Sequence, residues 1–225
     1  MKKYLFTFVA ICIASSAFAC ISCNKKVRDG IFNSAFYPNL FIILSAFLVL
    51  AVVIIVLVVI TNKRTELHSP VPLTTASMVL GIGMGGFIDG IVLHQILQWH
   101  EMLSNKIPTN EYVGKSINMF WDGIFHFFCL IVVLLGIILM WKLLFRKDIN
   151  HSGRLLTSGL LLGWGLFNII EGLIDHHLLK LHNVVELSPN HDTGNYIFLG
   201  ISILMIFLGY WLFHKEKSNQ SLIIK

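Results

Sequence analysis

The chain has 225 residues, 56% of them hydrophobic and 13% charged, with a mean hydropathy of +0.76. That composition excludes an ordinary water-soluble domain, since several runs approach the ~20 apolar residues that carry a helix across a bilayer core. The formal net charge of +5 does not point to nucleic acid. The basic residues lie mostly in connections, where they set topology, and no basic-aromatic motif or phosphate-cradling glycine loop accompanies them.

Residues 1–19 open with Lys2 and Lys3, continue through an apolar stretch and close on Ala17-Phe18-Ala19. This is the pattern of a secretory signal peptide with a small-x-small cleavage site, and an uncleaved anchor helix is the alternative. Residues 20–39 then carry Cys20 and Cys23 at the mature N-terminus, outside the cytoplasm. A lone CxxC pair reads as a disulfide, a redox pair or two soft metal ligands. Residues 40–61 are almost wholly aliphatic and form a plain anchor helix.

A Pro-containing loop runs to about Thr75, and four further helices are predicted at 76–99, 119–142, 155–180 and 194–213. They make a four-helix membrane domain over residues 75–214, followed by a cytoplasmic tail at 215–225. Lys63, Arg64, Lys142, Arg146, Lys147, Arg154, Lys215 and Lys217 gather on one side of these helices, which the positive-inside rule makes cytoplasmic. The signal sequence places the mature N-terminus outside, and the polar residues then face the periplasm of a bacterial inner membrane.

The stretch LGIGMGGFIDGIVLHQILQWH at 80–100 returns as LGWGLFNIIEGLIDHHLLKLH at 162–182, 82 positions later. His94 matches His176, His100 matches His182, Gly90 matches Gly172, and Asp89 faces Glu171. The expected fold class is therefore all-α transmembrane: a four-helix bundle of two parallel two-helix repeats (76–142 and 155–213), preceded by a signal peptide and one anchor helix. In the second members, Asp122 pairs more loosely with Asp192. Small-residue spacing at Gly81, Gly85, Gly86 and Gly90 suits close helix packing.

Ionisable groups inside a spanning helix default to a functional reading. In α-helical geometry Asp89 and His100 fall ~20° apart but about 16 Å along the axis, and His94 is turned ~140° from Asp89. No single helix should then hold an ion, so the site is expected to assemble from facing helices. The candidate metal ligands are His94, His126, His176, Asp122, Asp89, Glu171, His100 and His182. Asp175, Asp192, His177 and Cys129 are secondary candidates, and Cys20 and Cys23 are separate thiols. Imidazole with carboxylate suits copper, zinc or iron, with haem as the alternative cofactor. Each ligand also has a plainer reading: an N-cap for Asp122 and Asp192, solvated interfacial rings for His100 and His182, and a buried hydrogen-bonded or proton-carrying group for Asp89 and Glu171.

The run GFIDGIVLHQILQWH at 86–100, with WDGIFH at 121–126 and GWGLFN at 163–168 leading to Glu171-Gly172, resembles an integral-membrane family of bacteria, domain of unknown function 2243. The resemblance spans about residues 75–213 and implies a four-helix membrane domain without implying an activity. Glu101 departs from the pattern, which often has a second His there. Phe36-Tyr37-Pro38-Asn39-Leu40 after the cysteine pair is similar to small single-span CxxC membrane proteins. Three functions follow as expectations. The first is metal binding for metal handling or respiratory-enzyme assembly, with metal-delivery proteins or respiratory complexes as partners. The second is a metal- or haem-dependent membrane enzyme. The third is a proton or ion path through Asp89 and Glu171.

Overall fold

Helix α3 (Ser45–Asn62) is built from aliphatic residues with no charge, so it forms wherever lipid replaces water around the backbone. The computed structural model describes residues 24–35, 39–63 and 67–223; the expected signal peptide, Cys20 and Cys23 lie outside the described residues. Two shorter helices precede it, α1 (Lys25–Ala35) and α2 (Asn39–Ile43). Four long ones follow. Helix α4 (Val71–Ile88) continues without a break into a π-helical segment, π1 (Asp89–Ile96); α5 covers Tyr112–Leu143; α6 (Gly153–Glu171) continues into π2 (Gly172–Leu178); and α7 covers His191–Ile223. The described chain is helical, with five stretches long and apolar enough to span a membrane: Ser45–Asn62, Val71–Ile96, Tyr112–Leu143, Gly153–Leu178 and His191–Ser218.

The four helices after the anchor all start earlier than predicted, two of them by more than a turn. Helix α4 begins at Val71, inside the expected Pro-containing loop, because the first turn has no intrahelical N–H partners to lose and so accepts Pro72. Helix α5 begins at Tyr112 rather than at 119. Its polar first turns argued against a helix in lipid, but their side chains bond within the protein: Ser116 Oγ donates to the Tyr112 carbonyl at 2.7 Å, and Asn118 reaches two carbonyls.

Helices α4 and α6 cross at the centre, α5 packs on α4, α7 on α6, and α3 lies against α4. The crossing depends on glycine. A β-carbon on Gly81 would strike the Leu160 backbone, and one on Gly163 would strike the Met78 backbone. Those two contacts are the same contact repeated at 82 positions' distance. Below the ends of α4 and α6, Phe47, Phe125 and Phe167 stack in series, with centroids 5.8 and 6.0 Å apart, and form an aromatic floor. Helix α1 rests on α5 at this end, where Trp121 Nε1 donates to Ser34 Oγ at 3.0 Å. At the opposite end the Arg146 guanidinium ties the α5 terminus to the Thr61 carbonyl at 3.0 Å.

Candidate metal centre

The expectation that Asp89 and His94 point in different directions is wrong, and the reason is local. Both central helices leave α geometry at the same place in the repeated stretch, at Asp89–Ile96 and Gly172–Leu178. A π-helix bonds i to i+5, so residues five apart share a face, and such segments often mark functional sites. Asp89 and His94 are five apart, as are Glu171 and His176. His94 Nε2 accordingly lies 3.1 Å from Asp89 Oδ2, and His176 Nε2 lies 2.7 Å from Glu171 Oε1.

Each π segment ends in the same way. The Leu97 N–H donates to Val92 and the Leu179 N–H to Ile174, both at 2.8 Å; Trp99 N–H donates to Leu93 at 2.9 Å and Leu181 N–H to Asp175 at 2.8 Å. Gln98 and Lys180 take φ of 49° and 50°, a left-handed turn that a side-chain-bearing residue adopts at a cost. That turn folds the chain back over the helix end and carries His100 and His182 inward. Both were expected near a solvated interface, yet they are 3% and 1% exposed. The loops at 97–111 and 179–190 cover them.

The two loops hold each other through their histidines. His100 Nδ1 pairs with the Val184 carbonyl at 2.9 Å, and His182 Nδ1 with the Met102 carbonyl at 3.0 Å. The Asn105 N–H donates to Leu181 and the Glu186 N–H to Trp99, both at 2.9 Å. Since a carbonyl can only accept, each Nδ1 is a protonated nitrogen, which in a neutral ring such as His100 leaves the lone pair on Nε2. Burial, followed by the nearby His94, His182 and His176, holds His100 well below the usual imidazole range, so its ring is neutral. His94 is fixed likewise, with Nδ1 at 2.8 Å from Asp122 Oδ1. Such partners on the second ring nitrogen are what orient a metal-binding imidazole.

Four imidazoles thus meet in one buried volume. His94 and His100 have centroids 4.3 Å apart, His100 and His182 4.7 Å, and His176 and His182 4.7 Å. Donor atoms of His94, His100 and His182 lie within 4.8 Å of one another, and so do those of Glu171, His176 and His182. Many polar atoms here have neither a hydrogen-bond nor an ion-pair partner among the described residues: Asp89 Oδ1, both Asp175 oxygens, Glu171 Oε2, His100 Nε2 and His176 Nδ1. Buried polar groups are ordinarily satisfied, and an orphaned set this dense fits a cation. The donors are imidazole nitrogen and carboxylate oxygen, suited to divalent zinc, copper or iron.

Not every predicted ligand joins the group. His126 turns away: its Nδ1 lies 2.6 Å from the Asp122 carbonyl, one turn back, and its ring packs on Gly90, Phe87 and Phe125. Cys129 is buried against Gly86, His177 lies beside Tyr196, and Asp192 is exposed in the first turn of α7. Asp122 is no N-cap, since it sits in the third turn of α5 and accepts both His94 Nδ1 and the Met102 N–H. Asn195, not Asp192, plays the corresponding part on α7, taking the Val184 N–H at 2.9 Å.

Three contributors escaped the sequence reading. Asn118, fully buried, takes the Leu103 N–H at 2.8 Å and holds the first loop. Asn195 holds the second. Glu101 is 5% exposed and pairs with Lys115, which also reaches Gln98. Burial raises Glu101 above the usual carboxylate range against the opposing pull of Lys115. The available signal was the identical five-residue spacing of acid and histidine in both copies, which α geometry cannot use and π geometry can.

The family described as predicted membrane protein, domain of unknown function 2243 (DUF2243), matches residues 76–216. The chain belongs to that family. Its match begins in α4 and ends in α7, so it takes in the whole imidazole group with both covering loops. No curated protein and no solved structure matches the chain.

Proposed function

We propose that this protein binds transition-metal ions (zinc, copper or iron) at the buried histidine–carboxylate centre, for metal handling or the assembly of respiratory enzymes. One observation carries the reading. His94, His100 and His182 each have Nδ1 engaged by a carboxylate or a backbone carbonyl, and their remaining donors converge within 4.8 Å. The two halves act as parallel repeats about an axis along the membrane normal, with the second members aligned through Asp122 and Asn195. Lys63, Lys142, Arg146, Lys147, Arg154, Lys215 and Lys217 sit at the end away from the centre, which favours a cytoplasmic tail and a centre on the periplasmic side of a bacterial inner membrane. Among the described residues no thiolate joins the donors, which favours divalent ions over cuprous copper.

A planar haem fits poorly, because His100 and His182 stack on each other at 2° and the remaining rings pack edge to face. The proton-path reading retains one specific support, the partnerless Oδ1 of Asp89 and both oxygens of Asp175, among the described residues.

Elemental analysis and an absorption spectrum of the detergent-purified protein test the proposal. Stoichiometric metal, reduced in His182→Ala and Glu171→Gln, is the expected result. Metal-free protein that also binds none on incubation refutes it. Proton uptake into proteoliposomes that Asp89→Asn abolishes would favour the path instead.

A further inference from the structure

We propose that the centre holds two divalent transition-metal ions, one between Asp89, His94 and His100 and the other between Glu171, His176 and His182. The inference rests on the metal-binding reading and sharpens its stoichiometry and ligand assignment.

The first support is the direction of the lone pairs. An imidazole nitrogen binds a metal in the plane of its ring. His100 and His182 stack face to face, 4.7 Å apart and 2° from parallel. Their opposite Nδ1 partners, Val184 and Met102, keep them so. Donor atoms of His94, His100 and His182 do lie within 4.8 Å of one another, but the lone pairs of two parallel stacked rings run in separate planes, which suits two neighbouring ions better than one shared ion. Each instead adjoins the histidine of its own helix end: His94 beside His100 at 4.3 Å, and His176 beside His182 at 4.7 Å.

The second support is that each histidine pair comes with its own carboxylate. Asp89 Oδ2 lies 3.1 Å from His94 Nε2. Glu171 Oε1 lies 2.7 Å from His176 Nε2 and 2.9 Å from His182 Nε2. Two donors at right angles about an ion with bonds of ~2.1 Å are separated by ~3 Å, so these spacings suit adjacent metal ligands. The aspartate is one methylene shorter than the glutamate, which accounts for its reaching His94 alone.

The third support is charge. Asp89, Asp122, Glu171 and Asp175 are all buried, at 5%, 5%, 5% and 1% exposure, and none has a Lys or Arg ion-pair partner. Lys115 is taken by Glu101. The only ion-pair partners of these carboxylates among the described residues are imidazoles, His94 for Asp89 and Asp122, and His176 and His182 for Glu171. Buried carboxylates without a permanent cation are expensive at membrane depth, and a dication beside each group offsets that cost. Asp175, four residues on from Glu171, keeps both oxygens without a hydrogen-bond partner among the described residues.

The test is zinc stoichiometry. Purified full-length protein in detergent is stripped with chelator, loaded with Zn²⁺, passed through gel filtration and analysed for zinc per chain. The wild type is expected to hold two ions, His94→Ala one and His176→Ala one. One ion in the wild type overturns the two-ion inference and leaves the metal-binding reading standing. None in the folded wild type overturns both. Two ions retained in both variants overturn the ligand assignment. Should either alanine variant fail to fold, Asp89→Asn and Glu171→Gln repeat the comparison with nearly unchanged volume, and zinc–zinc scattering in the X-ray absorption spectrum of the loaded wild type decides between one ion and a pair.

Discussion

Replacing Asn118 with alanine offers the clearest test of how the covering loop is held. The amide makes three hydrogen bonds from a fully buried position: it accepts the Leu103 N–H at 2.8 Å and donates to Ile107 at 2.9 Å and Gly114 at 3.1 Å. The Gly114 carbonyl keeps its helical partner, so the substitution strands two loop groups, the Leu103 N–H and the Ile107 carbonyl. A buried polar group left without its partner costs about 1–3 kcal/mol, so Asn118→Ala should cost about 2–4 kcal/mol. In the middle of that range the folded-to-unfolded ratio falls ~100-fold. For a chain of this size the melting midpoint should drop by about 6–10 °C. Differential scanning fluorimetry in one detergent, on metal-free protein, measures this directly. Gly123→Ala, on the same helix with open space around it, is the control and should not shift. A fall of less than ~2 °C for Asn118→Ala would show that the loop is held by something other than this amide.

Three further outcomes follow from the same geometry. Gly81→Ala and Gly163→Ala each push a methyl group into the facing helix backbone, and each should cost about 1–3 kcal/mol of stability by overpacking, read by the same melts. Lys115→Met leaves the buried Glu101 without its partner; because Lys115 is 36% exposed the loss should be only about 1–2 kcal/mol, and Glu101→Gln in the same chain should recover most of it. Stripping the metal should lower the melting midpoint of the wild type, by the equivalent of about 2.7 kcal/mol when the ion had been present at a hundred times its dissociation constant. The same treatment should leave a His94→Ala, His176→Ala double variant unmoved.

Much of the fold could be read before any coordinates. The anchor helix needs nothing but aliphatic residues, and the paired glycines of the repeat foretold a close crossing of two helices. The site was legible as a set of residues but not as an arrangement. His94 and His176 stood out because a histidine inside an apolar run is costly without a partner, while His100 and His182, at the ends of those runs, were open to a solvated reading as well. His126 stood out for the same reason and was misplaced, because depth alone said it should join. Its ring is instead turned toward the Asp122 carbonyl and Gly90. Asn118 and Asn195 were passed over because a single asparagine near a helix start looks like an ordinary polar residue, and only the approach of a loop N–H gives it work.

The sequence by itself determined that the chain lies in a membrane, that two stretches 82 positions apart match residue for residue at several places, and that each carries a carboxylate and two imidazoles at matching positions. These follow from composition and spacing, which are properties of the chain alone. Tertiary structure decided how they meet. Two π-helical segments turn a five-residue spacing into a shared face, and two left-handed turns at Gln98 and Lys180 fold His100 and His182 back under their loops. Each of these departures from α geometry is locally unfavourable. It persists because the opposite half supplies the hydrogen bond that holds it, and that partner lies some 80 residues away in the chain.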